Sequence, residues 1–85
     1  MNVSDRILKF GSGFDGRLNE TSLSFAMDYV HRGENAVALD TLFEYIYEND
    51  VNISPVEFDE AISLAKEFNV GENDVAYLRE LIEDN

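Results

Sequence analysis

The stretch "ALDTLFEYIYENDVNISPVEFDEA", residues 38–61, holds two helices and the break between them. In its first half Leu39, Leu42, Phe43 and Ile46 recur at spacings of three and four, the pattern of a buried helical stripe. Its second half opens on Ser54-Pro55 with Glu57 three residues after the serine. This is a capping box with proline at the first helical position, and it starts a new helix. Phe58, Ala61, Ile62 and Ala65 then form the inward face of that helix. The same 24 residues carry seven carboxylates and no lysine or arginine, so two apolar faces are backed by a strongly acidic surface.

Working outward, the third helix covers about residues 34–49, and the helix before it starts at Asn19, a good N-cap. Leu23, Ala26, Met27 and Val30 form its core stripe, with Phe25 and Tyr29 as a second apolar row. Gly33, able to adopt positive φ, ends it. A first helix spans about residues 3–14 on Val3, Ile7, Phe10 and Phe14, though Gly11 and Gly13 cost roughly 1 kcal/mol each against alanine and favour an early end. The fourth helix ends before Gly71, and a fifth covers about residues 74–83, with Asn73 as its cap and Val75, Leu78 and Ile82 turned inward. No strand alternation or internal repeat competes. The expected fold is all-α, a small antiparallel bundle of four to five helices in one domain over residues 1–85.

Composition narrows the function. With 45% hydrophobic residues the chain is too apolar for a disordered acidic tail, despite a net charge of −12. At 85 residues it buries roughly 60–65% of the surface its unfolded form exposes. There is no cysteine for a disulfide or a thiolate metal site, and neither a signal peptide nor a membrane span is evident, so the expected location is the cytoplasm. The charge is unevenly placed: residues 1–32 are neutral, residues 33–65 carry eight acids and no base, and residues 66–85 carry a net −4. A field centred on the middle of the chain repels nucleic acid and anionic membrane and attracts a cationic partner.

Catalytic and cofactor motifs are lacking. The carboxylates of residues 38–61 fall at solvent positions, where nothing shifts their pKa for acid or base work. The one histidine, His31, sits at a helix C-terminus, where it complements the helix dipole. "FGSGFDG" has no phosphate-loop lysine, and "ENDVNIS" lacks the glycine and terminal glutamate of an EF-hand. Asp40-Thr41-Leu42 is the nearest string to the Asp-Ser-Leu site of an acyl carrier protein, but it lies inside a helix and has no serine. Neither metal nor cofactor is expected.

The acidic stripe is better read as a binding surface. Asp40, Glu44 and Glu48 stand at successive four-residue steps, about 40° apart around the helix, and repel one another by a few tenths of a kcal/mol per pair. A surface serving only solubility mixes both signs. Tyr45 and Tyr47 lie beside them, and aromatics are enriched in interface hot spots.

Residues 29–70 resemble the MafI-type immunity proteins of bacterial polymorphic toxin systems. The resemblance lies in a helix ending at a glycine turn, "HRGENAVAL", followed by a helix of pattern Leu-x-x-Leu-x-x-x-Leu-Tyr-Glu, met by Leu39, Leu42, Ile46, Tyr47 and Glu48. An acidic turn running into Ile-Ser-Pro, "ENDVNISP", completes it. About half the chain is covered. The resemblance implies a cytoplasmic antidote without catalytic activity that neutralises a toxin domain delivered by a neighbouring cell, as in contact-dependent growth inhibition. Many such toxins are nucleases with cationic active sites, which an acidic partner complements. The expected toxin-binding residues are Asp40, Glu44, Tyr47 and Glu48, with Asp50, Asp59 and Glu60 near the rim, on a chain that is monomeric when free. The rival expectation is an acidic helical adaptor, or a DNA mimic that regulates a non-toxin partner.

Overall fold

In the computed structural model, which describes residues 2–71 and 75–82, the chain is an all-α bundle. Its helices are α1 (Val3–Ser12), α2 (Glu20–His31), α3 (Asn35–Glu48) and α4 (Pro55–Glu67), followed by a 3₁₀ helix (Tyr77–Leu81). Among the described residues there is no strand, only two isolated bridges, Asp15 with Leu18 and Ile53 with Ile82. None of the described helices is long and apolar enough to cross a membrane.

The helix starts follow their local signals. Asn2 and Asn19 cap α1 and α2 through their side-chain oxygens, and Ser54 with Glu57 forms the full capping box of α4. The ends of α2, α3 and α4 share one device. After α2 the amide of Glu34 donates to the Tyr29 carbonyl, after α3 that of Val51 to Ile46, and after α4 that of Val70 to Ala65. These are six-to-one bonds of the Schellman type, each needing a left-handed residue just past the helix. Gly33 supplies it after α2 (φ 78°), Asp50 after α3 (φ 49°) and Asn69 after α4 (φ 56°). Helix α4 therefore stops at Glu67, with Asn69 doing the work expected of Gly71.

One apolar cluster joins all the elements. Leu39, Leu42, Phe43 and Ile46 of α3 are fully buried beside Ile7, Phe14, Ala26, Ala61 and Leu64. Helix α1 ends two residues earlier than its apolar spacing suggests, and Phe14 reaches the core from the turn that follows. On α4 the inward face includes Leu64 in place of the half-buried Ile62. Gly11 is buried where α1 passes α2. A β-carbon there would stand 2.6 Å from the sulfur of Met27, so the end of that flexible side chain would have to move aside.

The last element departs most from expectation. Its proposed cap Asn73 and the ends at Asp74 and Glu83 lie outside the described residues. Within them, Val75, Leu78 and Leu81 are buried at a uniform spacing of three. Side chains three apart eclipse in a 3₁₀ helix, so the winding over Tyr77–Leu81 puts Leu81 on the same side as Leu78, whereas an α-helix would have favoured Ile82 over Leu81. Ile82 is instead half-buried and extended, bridging to Ile53.

Candidate functional site

Asp40, Glu44 and Glu48 project from the exposed side of α3, turned away from the buried Leu39, Leu42 and Ile46. Val37, 43% exposed, shares this side. Among the described residues no basic side chain pairs with Glu44 or Glu48. Asp50 continues the acidic flank in the turn after α3, and its positive φ makes it part of the helix stop as well as of the charged surface.

Tyr47 is half-exposed and turns toward the 3₁₀ helix. Its ring meets that of Tyr77 edge to face at 4.4 Å between centroids, and its hydroxyl donates to Glu80 Oε2 at 3.3 Å. The charge of Glu80, followed by that hydrogen bond, holds the Tyr47 hydroxyl above its ordinary pKa, with a smaller contribution from Asp50. Tyr45, by contrast, packs against the core.

The two acids expected at the rim from α4 differ from each other. Asp59 is exposed, but Glu60 accepts a hydrogen bond from Arg6 Nη2 at 2.9 Å. The same guanidinium reaches Glu67 and, at 3.2 Å, Ser63 Oγ, so Arg6 ties α1 along one edge of α4. Arg17 does the same for Glu57 and also donates to the carbonyls of Gly13 and Asn52. Burial pushes the Glu57 carboxyl up, but the Arg17 hydrogen bond and those from Ser54 outweigh it and leave the pKa lowered. The amino-terminal arginines thus neutralise the α1 side of α4, while among the described residues Glu44, Glu48 and Asp50 have no basic side chain paired with them. Sequence reasoning placed the acids on their helices but missed Arg6, Arg17, Tyr77 and Glu80, whose partners lie 30 to 61 residues away along the chain.

A groove of about 530 Å³ between α1 and α4 is lined by Arg6, Lys9, Phe10, Val56, Glu57 and Glu60. Its carboxylates are those already bound to Arg6 and Arg17, which leaves Phe10, the 76% exposed Val56 and Lys9 to meet a ligand. His31 stands exposed in the last turn of α2. No three histidine or carboxylate side chains among the described residues gather to hold a metal ion. No protein family, no curated protein and no solved structure matches this chain.

Proposed function

We propose that this chain is a cytoplasmic immunity protein that binds a cationic toxin domain, most simply a nuclease, and neutralises it by occupancy rather than catalysis. The observation that carries this reading is the exposed acidic side of α3, where among the described residues no basic side chain pairs with Glu44 or Glu48 while Arg6 and Arg17 are drawn to α4. The resemblance of residues 29–70 to MafI-type immunity proteins supplies the kind of partner, and the charge supplies the mechanism. A nuclease site must be cationic to hold a polyphosphate, so an acidic protein is steered onto it and excludes the substrate. Steering of this kind raises association rates to about 10⁸–10⁹ M⁻¹s⁻¹, the speed an antidote needs.

Co-expression with the toxin domain encoded directly upstream of this gene tests the reading. Cells carrying both should survive, and cells carrying the toxin alone should die. Equal death with and without this protein, or the lack of any toxin-encoding frame beside the gene, would favour the adaptor reading instead.

A further inference from the structure

The acidic surface has a focal point where α3 and the 3₁₀ helix meet. Tyr47 and Tyr77 make an aromatic pair there, Tyr47 with 40% of its surface open. Glu80 accepts from the Tyr47 hydroxyl, and Asp50 lies close enough to act on that hydroxyl electrostatically. The Glu80 carboxylate thus lies beside exposed ring surface, and Asp50, in the turn after α3, adds to the negative field there. Among the described residues neither has a basic side chain on it. Arg79, the sequence neighbour of Glu80, places its guanidinium over the Phe58 ring at 5.5 Å.

Resting on the immunity reading above, we propose that the Tyr47–Tyr77 pair with Glu80 and Asp50 seats an arginine side chain of the partner protein. The guanidinium lies against ring surface while its N–H groups donate to the Glu80 carboxylate, with the Asp50 charge adding to the attraction. Charge excludes the other occupants. A phosphate or carboxylate would meet two like charges on a chain of net charge −12. An apolar side chain would cover carboxylates without giving them a partner, which costs several kcal/mol per buried ion in general. Arginine fits better than lysine because its group is planar, less strongly hydrated and carries five donors in a fixed fork, so it can stack and donate together. The chain itself repeats this chemistry: the guanidinium groups of Arg17, Arg32 and Arg79 each lie over a ring, at 4.4, 5.1 and 5.5 Å.

The probe is a capped glycine peptide with one central arginine, titrated into the ¹⁵N-labelled full chain and compared with lysine and citrulline versions. Saturating amide shifts should centre on Tyr47, Asp50, Tyr77 and Glu80. Lysine should bind more weakly and citrulline should give no saturation. Tyr47→Ala and Tyr77→Ala should each weaken arginine binding roughly 2- to 5-fold, the size of an exposed cation–π contact. Glu80→Gln, a surface change that leaves the core untouched, should weaken it by a similar factor, and Glu44→Gln should not. Shifts spread evenly over Glu44 and Glu48, equal binding of lysine and arginine, or indifference to Glu80→Gln would overturn the seat. Toxin protection in cells reports on the immunity reading and the titration reports on the seat, so either can fail alone.

Discussion

Glu57 joins two structures at once, and removing it should show both. Its Oε1 accepts from the Ser54 amide at 2.9 Å to complete the α4 capping box, and both its oxygens accept from Arg17. Loss of the cap costs about 1 kcal/mol. The ion pair, with side chains 23% and 38% exposed, belongs near the upper end of the surface range, about 0.5–1 kcal/mol. Glu57→Ala should therefore destabilise by roughly 1.5–2 kcal/mol, a melting-temperature drop of about 6–16 °C for a domain of this size. Glu57→Gln keeps an oxygen for the cap but presents no charge to Arg17, so it should lose only the pair. Because the folded carboxyl has a lowered pKa, its contribution is present above the unfolded value of about 4.3 and is lost as the pH falls through the folded one. The gap between parent and Glu57→Gln should thus close as the pH is taken from 7 to 3. Urea unfolding at both pH values, with Arg17→Ala and the double variant, gives the pair term directly. A gap that is zero at pH 7, or unchanged at pH 3, would refute the assignment.

Reversing Glu44 and Glu48 to lysine takes the net charge from −12 to −8. Stability should change by about 0.5 kcal/mol or less, while toxin association slows and loses much of its salt dependence in stopped-flow measurements at two ionic strengths. Tyr47→Ala should act mainly on dissociation and cost roughly 2 kcal/mol of binding, as read by surface plasmon resonance. Asp50→Gly removes an acid from a left-handed position that glycine adopts without strain, so thermal melts should show equal or greater stability, by up to about 1 kcal/mol, while toxin association slows. Gly11→Leu should destabilise by about 1–3 kcal/mol, because Gly11 is buried and a whole leucine side chain there must displace Met27 and overpack the crossing; chemical denaturation checks it.

What could be read from the sequence was what neighbours in the chain decide. The Ser54-Pro55-Glu57 box, the Asn19 cap, the Gly33 stop and the buried stripe of α3 all depend on residues within one or two turns, and each stands as expected. Asn69 and Asp50 were harder to foresee as helix stops, because either residue type adopts a left-handed conformation only when the bonds around it require it. The 3₁₀ winding at Tyr77–Leu81 buries Leu81 in place of Ile82, which the apolar spacing of that segment does not announce. For the candidate site, periodicity put Asp40, Glu44 and Glu48 on one exposed side. It could not show that Arg6 engages Glu60, or that Tyr47 meets Tyr77 and Glu80, since tertiary pairing across dozens of residues leaves no local trace.

The amide of Ile53 donates to the Leu81 carbonyl at 3.0 Å, and Ile53 bridges to Ile82, so the segment entering α4 is clasped to the far end of the described chain. Closing a loop of that length costs about 3 kcal/mol of chain entropy before any contact repays it. The α2–α3 hairpin, by contrast, packs most extensively and joins helices close in sequence. Nucleation should therefore begin in the hairpin, and the clasp should form after the rate-limiting barrier. Ile82→Ala would then steepen escape from the native state without slowing the return to it. In a chevron plot the unfolding limb would rise while the refolding limb stayed where it was.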